Sequence, residues 1–88
     1  MDKTDKFRKI EQELLDTYKK KNSDYGDSFS DTFKKFGIVS AATRISDKSN
    51  RLSNLIKNQK FPNYESVTDT LRDMASYCIM TLVELDND

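Results

Sequence analysis

The sequence predicts an all-α fold, a small helical bundle of three long helices plus one short helix. Three observations lead there. Apolar residues recur every three to four positions along three long segments, clusters of turn-forming residues separate the segments, and no stretch alternates with the period of two that a half-buried strand needs. With 88 residues, of which 35% are apolar, the chain makes a single domain, 1–88, with a thin core.

The first helix is expected from Asp5 to about Asn22, where Phe7, Ile10, Leu14, Leu15 and Tyr18 fall at helical spacing among charged residues. Its last turn would be Lys19-Lys20-Lys21, cations facing the exposed carbonyls of a helix C-terminus. That lysine run serves either as a solvated end or as a phosphate contact. Residues 22–28, Asn-Ser-Asp-Tyr-Gly-Asp-Ser, form a cluster of turn formers. Tyr25 sits in it as a loop aromatic, free to stack on a base or to pack over the helix ends.

Phe29, Phe33 and Phe36, followed by Gly37, give a short glycine-capped helix whose three rings are expected to plug the core. A second long helix covers Ile38 to Lys57, with Ile38, Ala41, Ala42, Ile45, Leu52 and Ile56 on its apolar face. Pro62 interrupts helix in the connection from Gln59 to Asn63, and Asn63 is a natural N-cap for the next element. The last helix, Tyr64 to Leu85, carries an apolar seam of Val67, Leu71, Met74, Cys78, Leu82 and Leu85. Cys78 on that seam reads as a reduced core residue. Ile79 and Met80 make the second half of this helix apolar nearly all round, which calls for a further partner such as a neighbouring subunit.

Composition excludes several kinds of chemistry. There is no histidine, which rules out a Ser-His-Asp triad, a Cys-His pair and imidazole-bound zinc. One cysteine cannot staple a small fold, so a homo-oligomer is the expected supplement to the core. Fifteen basic residues balance fifteen acidic ones. No long-range field then draws the chain to nucleic acid or to an anionic membrane, and any anion site must be local. The charged N-terminus does not resemble a signal peptide, and the longest apolar stretch, near residues 78–83, is too short to span a bilayer. A cytoplasmic location is expected.

Two charged stripes stand out. Arg44, Asp47, Lys48 and Arg51 lie within one arc of the second long helix, and Glu65, Asp69 and Asp73 share one face of the last. Arg44, Asp47 and Arg51 are expected to project from the side away from the helix's own core contact, with Lys48 nearer its edge. Together the stripes either hold phosphates and a divalent metal or pair with each other as salt bridges.

In order along the chain, Lys21-x-x-Asp24-Tyr25-Gly26, then Arg44-x-x-Asp47-Lys48-x-x-Arg51-Leu52, then Glu65-Ser66-x-x-Asp69-Thr70-Leu71-x-Asp73-x-Ala75-x-Tyr77, the sequence resembles the nucleotide modification associated domain family of phage and prophage proteins. That family looks distantly similar to the all-α MazG-like nucleotide pyrophosphohydrolases. The resemblance covers roughly residues 20–85 and implies a phage origin, a helical oligomer and a nucleotide ligand. MazG-like enzymes hold Mg²⁺ with a Glu-x-x-Glu on one helix and a Glu-x-x-Asp on a later one. Here the facing helix offers only Asp47 among cations, and Glu11, Glu13 and Asp16 on the first helix lack a second Glu at the required spacing.

Two functions follow. In the first, a non-catalytic module captures a phosphorylated nucleotide or a nucleotide-derived immune signal, with Lys21, Asp24, Tyr25, Arg44, Asp47, Lys48, Arg51 and Asp69 as binding residues and no cofactor required. In the second, a Mg²⁺-dependent pyrophosphohydrolase uses Glu65, Asp69 and Asp73 as metal ligands. The surplus of cations over metal-ligand carboxylates favours capture.

Overall fold

A computed structural model describes residues 2–58 and 64–86 as four α-helices: α1 (Lys3–Tyr25), α2 (Ser28–Phe36), α3 (Ile38–Lys57) and α4 (Tyr64–Leu85). The expected Pro62 break and Asn63 cap lie outside the described residues. Among those residues every element is helical, and no helix is long and apolar enough to cross a membrane.

Local chemistry accounts for the ends. Asp2 caps α1, its carboxylate accepting the Asp5 backbone N–H at 2.8 Å, and Asp27 caps α2 by accepting from Ser30 at 3.3 Å. At the other ends stand the two glycines. Gly26 (φ 73°, ψ −179°) and Gly37 (φ 72°, ψ −160°) occupy backbone space that is essentially glycine's alone. Each donates its N–H back into the helix that it terminates, Gly26 to Asn22 and Gly37 to Phe33. Gly37 also begins α3, because its carbonyl accepts both the backbone N–H and the hydroxyl of Ser40. A single residue thus turns the chain from α2 into α3.

The end of α1 differs from the sequence expectation. The helix passes through Asn22, Ser23 and Asp24 and stops only at Gly26, so Asp24 and Tyr25 belong to its last turn and the three lysines lie about a turn earlier. Asn, Ser and Asp are merely weak helix formers, whereas glycine's positive φ is what breaks the hydrogen-bond ladder.

α3 and α4 form the antiparallel heart of the fold. Lys48 meets Asp73 and Arg44 meets Tyr77, so a step of four down α3 matches a step of four up α4. The buried Ala41 and Thr81 lie about one turn further in the same direction. α2 closes one end through Phe29, which is 6% exposed and stacks on Tyr77 with ring centroids 6.1 Å apart and planes 18° apart. α1 lies against α4 without burying any of its described residues.

The core is thinner than expected and faces a different way. Among the described residues only Phe29 and Ala41 are buried apolar side chains; Phe33 is half-buried, and Phe36 is 69% exposed. The three phenylalanines therefore do not act as one plug. Among the described residues of α4 the buried positions are Thr70 and Thr81, not the predicted seam, of which Leu71, Cys78, Leu82 and Leu85 are exposed. Threonine serves there because each hydroxyl donates to the carbonyl one turn back, Thr70 to Ser66 at 2.7 Å and Thr81 to Tyr77 at 2.6 Å. The polar atom is thereby satisfied inside its own helix. Cys78 is accordingly a surface thiol and not a core residue.

Phe29→Ala should lower the free energy of unfolding by about 3 kcal/mol or more, while Phe36→Ala should change it by no more than about 0.5 kcal/mol. Urea titrations followed by circular dichroism at one fixed protein concentration measure both.

Candidate functional site

A cleft of about 740 Å³ opens between α1, the start of α2, α3 and α4. Its volume falls in the range of small-molecule sites. α1 contributes Leu14, Tyr18, Lys21 and Tyr25 to the lining, α3 contributes Arg44 and Lys48, and α4 contributes Asp69, Arg72, Asp73, Ser76 and Tyr77.

Arg44 is the unusual member. Its Cζ lies 5.7 Å from the centre of the Phe29 ring and 5.8 Å from that of Tyr77, so two stacked aromatic rings hold the guanidinium. It is half-buried, yet among the described residues no carboxylate pairs with it. The rings attract the cation while occupying none of its five N–H donors. Sequence spacing had put Arg44 on the side of α3 away from the core. The structure instead turns it toward α2 and α4, because the aromatic pair provides a favourable place for a cation beside the core.

Two further cations of the cleft, Lys48 and Arg72, are paired with carboxylates, and both pairs are wet. Lys48 Nζ stands 2.9 Å from Asp73 Oδ2, and Arg72 Nη1 stands 2.9 Å from Glu13 Oε2, with all four side chains between 28% and 41% exposed. Such pairs contribute little to stability, since water already solvates both partners. Among the described residues the lining holds four cations, Lys21, Arg44, Lys48 and Arg72, against two carboxylates, Asp69 and Asp73, with Glu13 beside Arg72 as a third. The chain as a whole is neutral, and this one cleft is locally positive.

Of the residues singled out from the sequence, the structure gathers Lys21, Tyr25, Arg44, Lys48, Asp69 and Asp73 around this cleft and leaves out Asp24, Asp47, Arg51 and Glu65. Tyr25 is 79% exposed at its rim. Asp47 and Arg51 line a separate depression with Asn50, Asn54, Leu55 and Asn58. The basic stripe is thus divided between two surfaces, and only its Arg44–Lys48 half faces the acidic helix. Arg72 and Ser76 were not singled out from the sequence, and Tyr77 entered only as part of the family motif. Arg72 was legible in principle, since Asp69, Arg72 and Ser76 follow one another at i, i+3 and i+7 on a single face.

The donor set suits a phosphate better than a metal. Glu65, Asp69 and Asp73 are strung along roughly 12 Å of helix axis, and among the described residues no three His, Cys, Asp or Glu side chains stand together as a metal site. Asp73 already holds the Lys48 ammonium.

The family model of nucleotide modification associated domain 1 matches residues 21–85, which takes in α2, α3, α4 and the end of α1. The chain belongs to this family. The match begins at Lys21, the first α1 cation in the cleft lining, and covers the Arg44, Lys48, Asp69, Arg72 and Asp73 positions. Neither a curated protein nor a solved structure matched the chain.

A double-mutant cycle of Lys48→Met and Asp73→Asn should return a coupling energy below about 1 kcal/mol, measured by chemical denaturation. A larger value would make this pair a structural clamp.

Proposed function

We propose that this member of the nucleotide modification associated domain 1 family captures a phosphorylated nucleotide in the cleft between α1, α3 and α4 without turning it over. The observation that carries this reading is Arg44, a half-buried guanidinium held by two aromatic rings with no carboxylate partner among the described residues. Its donors are available for a phosphate, which accepts them in short, charge-assisted and bidentate hydrogen bonds.

The surrounding residues divide the remaining work. Lys48 and Arg72 exchange their exposed carboxylate partners for phosphate oxygens at small cost, because those pairs contribute little on their own. Lys21 adds a third flexible cation at the α1 side. Tyr25 at the rim offers a ring face for a base, worth on the order of 1–3 kcal/mol per stacked base. Asp69 accepts from a ribose hydroxyl or a base amine.

The finer reading is that a phage-encoded chain sequesters a nucleotide-derived signal of its bacterial host's defence in the host cytoplasm. It rests on the family resemblance, and on the fact that sequestration needs affinity but no catalytic base. The MazG-like alternative asks for several carboxylates converging on Mg²⁺, and the described residues do not supply that convergence.

Incubation with a panel of linear and cyclic nucleotides and Mg²⁺, followed by heat release and chromatography, separates capture from hydrolysis. Intact ligand should return stoichiometrically; pyrophosphate or monophosphate in excess of protein would overturn the proposal. By isothermal titration, Lys48→Ala and Arg72→Ala should each weaken nucleotide binding tenfold or more. Arg51→Ala, in the other depression, should change it less than twofold.

A further inference from the structure

The side of α4 turned away from α3 is apolar and open. Leu71, Cys78, Ile79, Leu82, Val83 and Leu85 are all exposed there, Leu82 at 67%. No charged residue interrupts positions 74–83. A soluble monomer rarely presents a contiguous face of this kind, and one that exists marks an interaction surface.

The surface area indicates what covers it. A compact monomer of this mass exposes roughly 5,300 Å², whereas this chain exposes 7077 Å². The excess, on the order of 1,700 Å² over the whole chain, leaves room for the area that each partner of an obligate homodimer buries, and is more than the roughly 800 Å² per partner of an interface of standard size. Shape agrees with area. The radius of gyration is 14.7 Å, against about 12 Å for a compact chain of this length. An 88-residue chain that buries only Phe29 and Ala41 as apolar core among its described residues needs permanent cover. A second copy of itself is always available in equal amount. Two copies do not repel, since the formal net charge is zero and the face itself is uncharged.

We infer that the exposed apolar face of α4, centred on Leu71, Cys78 and Leu82, is the interface through which two copies of this chain pair. The contact is isologous, each α4 laid against the other. Leu71 and Leu82 lie roughly 140–160° around the helix from Asp69, so the second copy stands behind the nucleotide cleft and leaves it open. Pairing and nucleotide capture are therefore separable by mutation.

Sedimentation equilibrium of the wild-type chain, combined with thiol labelling of Cys78 by a chromogenic disulfide reagent, tests this. The expected mass is twice 10.2 kDa, with Cys78 protected. Leu82→Glu should sediment as a single chain and label at least tenfold faster, while Val39→Glu, on an exposed part of α3, should leave both readings unchanged. If Leu82→Glu loses its helical circular dichroism, Leu82→Ala replaces it, with the dimer dissociation constant expected to rise at least tenfold. A wild-type mass of one chain leaves the face to a different protein and overturns the inference. So does an oligomer whose Cys78 labels as fast as in the Leu82→Glu variant, because its interface then lies elsewhere.

Discussion

One cation held by two rings organises this molecule. Phe29 comes from α2, Arg44 from α3 and Tyr77 from α4, so the cluster joins three of the four helices at one point. It also decides what the nearby surface can do. A guanidinium paired with a carboxylate spends its donors on that partner, but one resting against aromatic faces keeps them. The packing that fixes α2 over the α3–α4 pair thus sets an arginine against two rings at the edge of the cleft, with no carboxylate among the described residues taking its donors.

Around that point the fold is economical in apolar burial. Its two buried threonines satisfy their hydroxyls within α4, which lets polar residues occupy positions where a larger protein would place leucine. The large apolar side chains of α4 are then left on its other side. Scarcity of core and abundance of surface are two aspects of one arrangement. α4 sends one sector toward α3, one toward the cleft and one outward, and these sectors carry threonines, charges and aliphatics respectively.

The helices themselves were legible in the sequence. Hydrophobic period and the Phe29-to-Gly37 pattern delimit α2, α3 and α4 as the structure has them, because spacing and glycine conformation are local properties. The end of α1 was not, since a cluster of polar turn formers stops a helix less effectively than the single glycine behind it. Burial was the less legible quantity. Periodicity reveals that a helix has an apolar face, but whether its own chain covers that face depends on tertiary packing, and Leu71, Leu82 and Cys78 are the residues where the difference appears. The cleft was half legible. Lys48, Asp69 and Asp73, aligned by their spacing, line the cleft, whereas Arg51, on the same arc as Arg44, lines a separate depression, because a shared arc on a helix does not mean a shared neighbour.

The proposal that Arg44 captures phosphate is tested most directly from the arginine Nε–Hε signals in a proton–nitrogen correlation spectrum during titration with inorganic pyrophosphate, a probe that has no base to stack. The signals of Arg44 and Arg72 should move and saturate together, while those of Arg8 and Arg51 stay in place. Saturable movement at Arg51 with Arg44 unmoved, or an unsaturating drift of all the arginines, would contradict the central role given to Arg44.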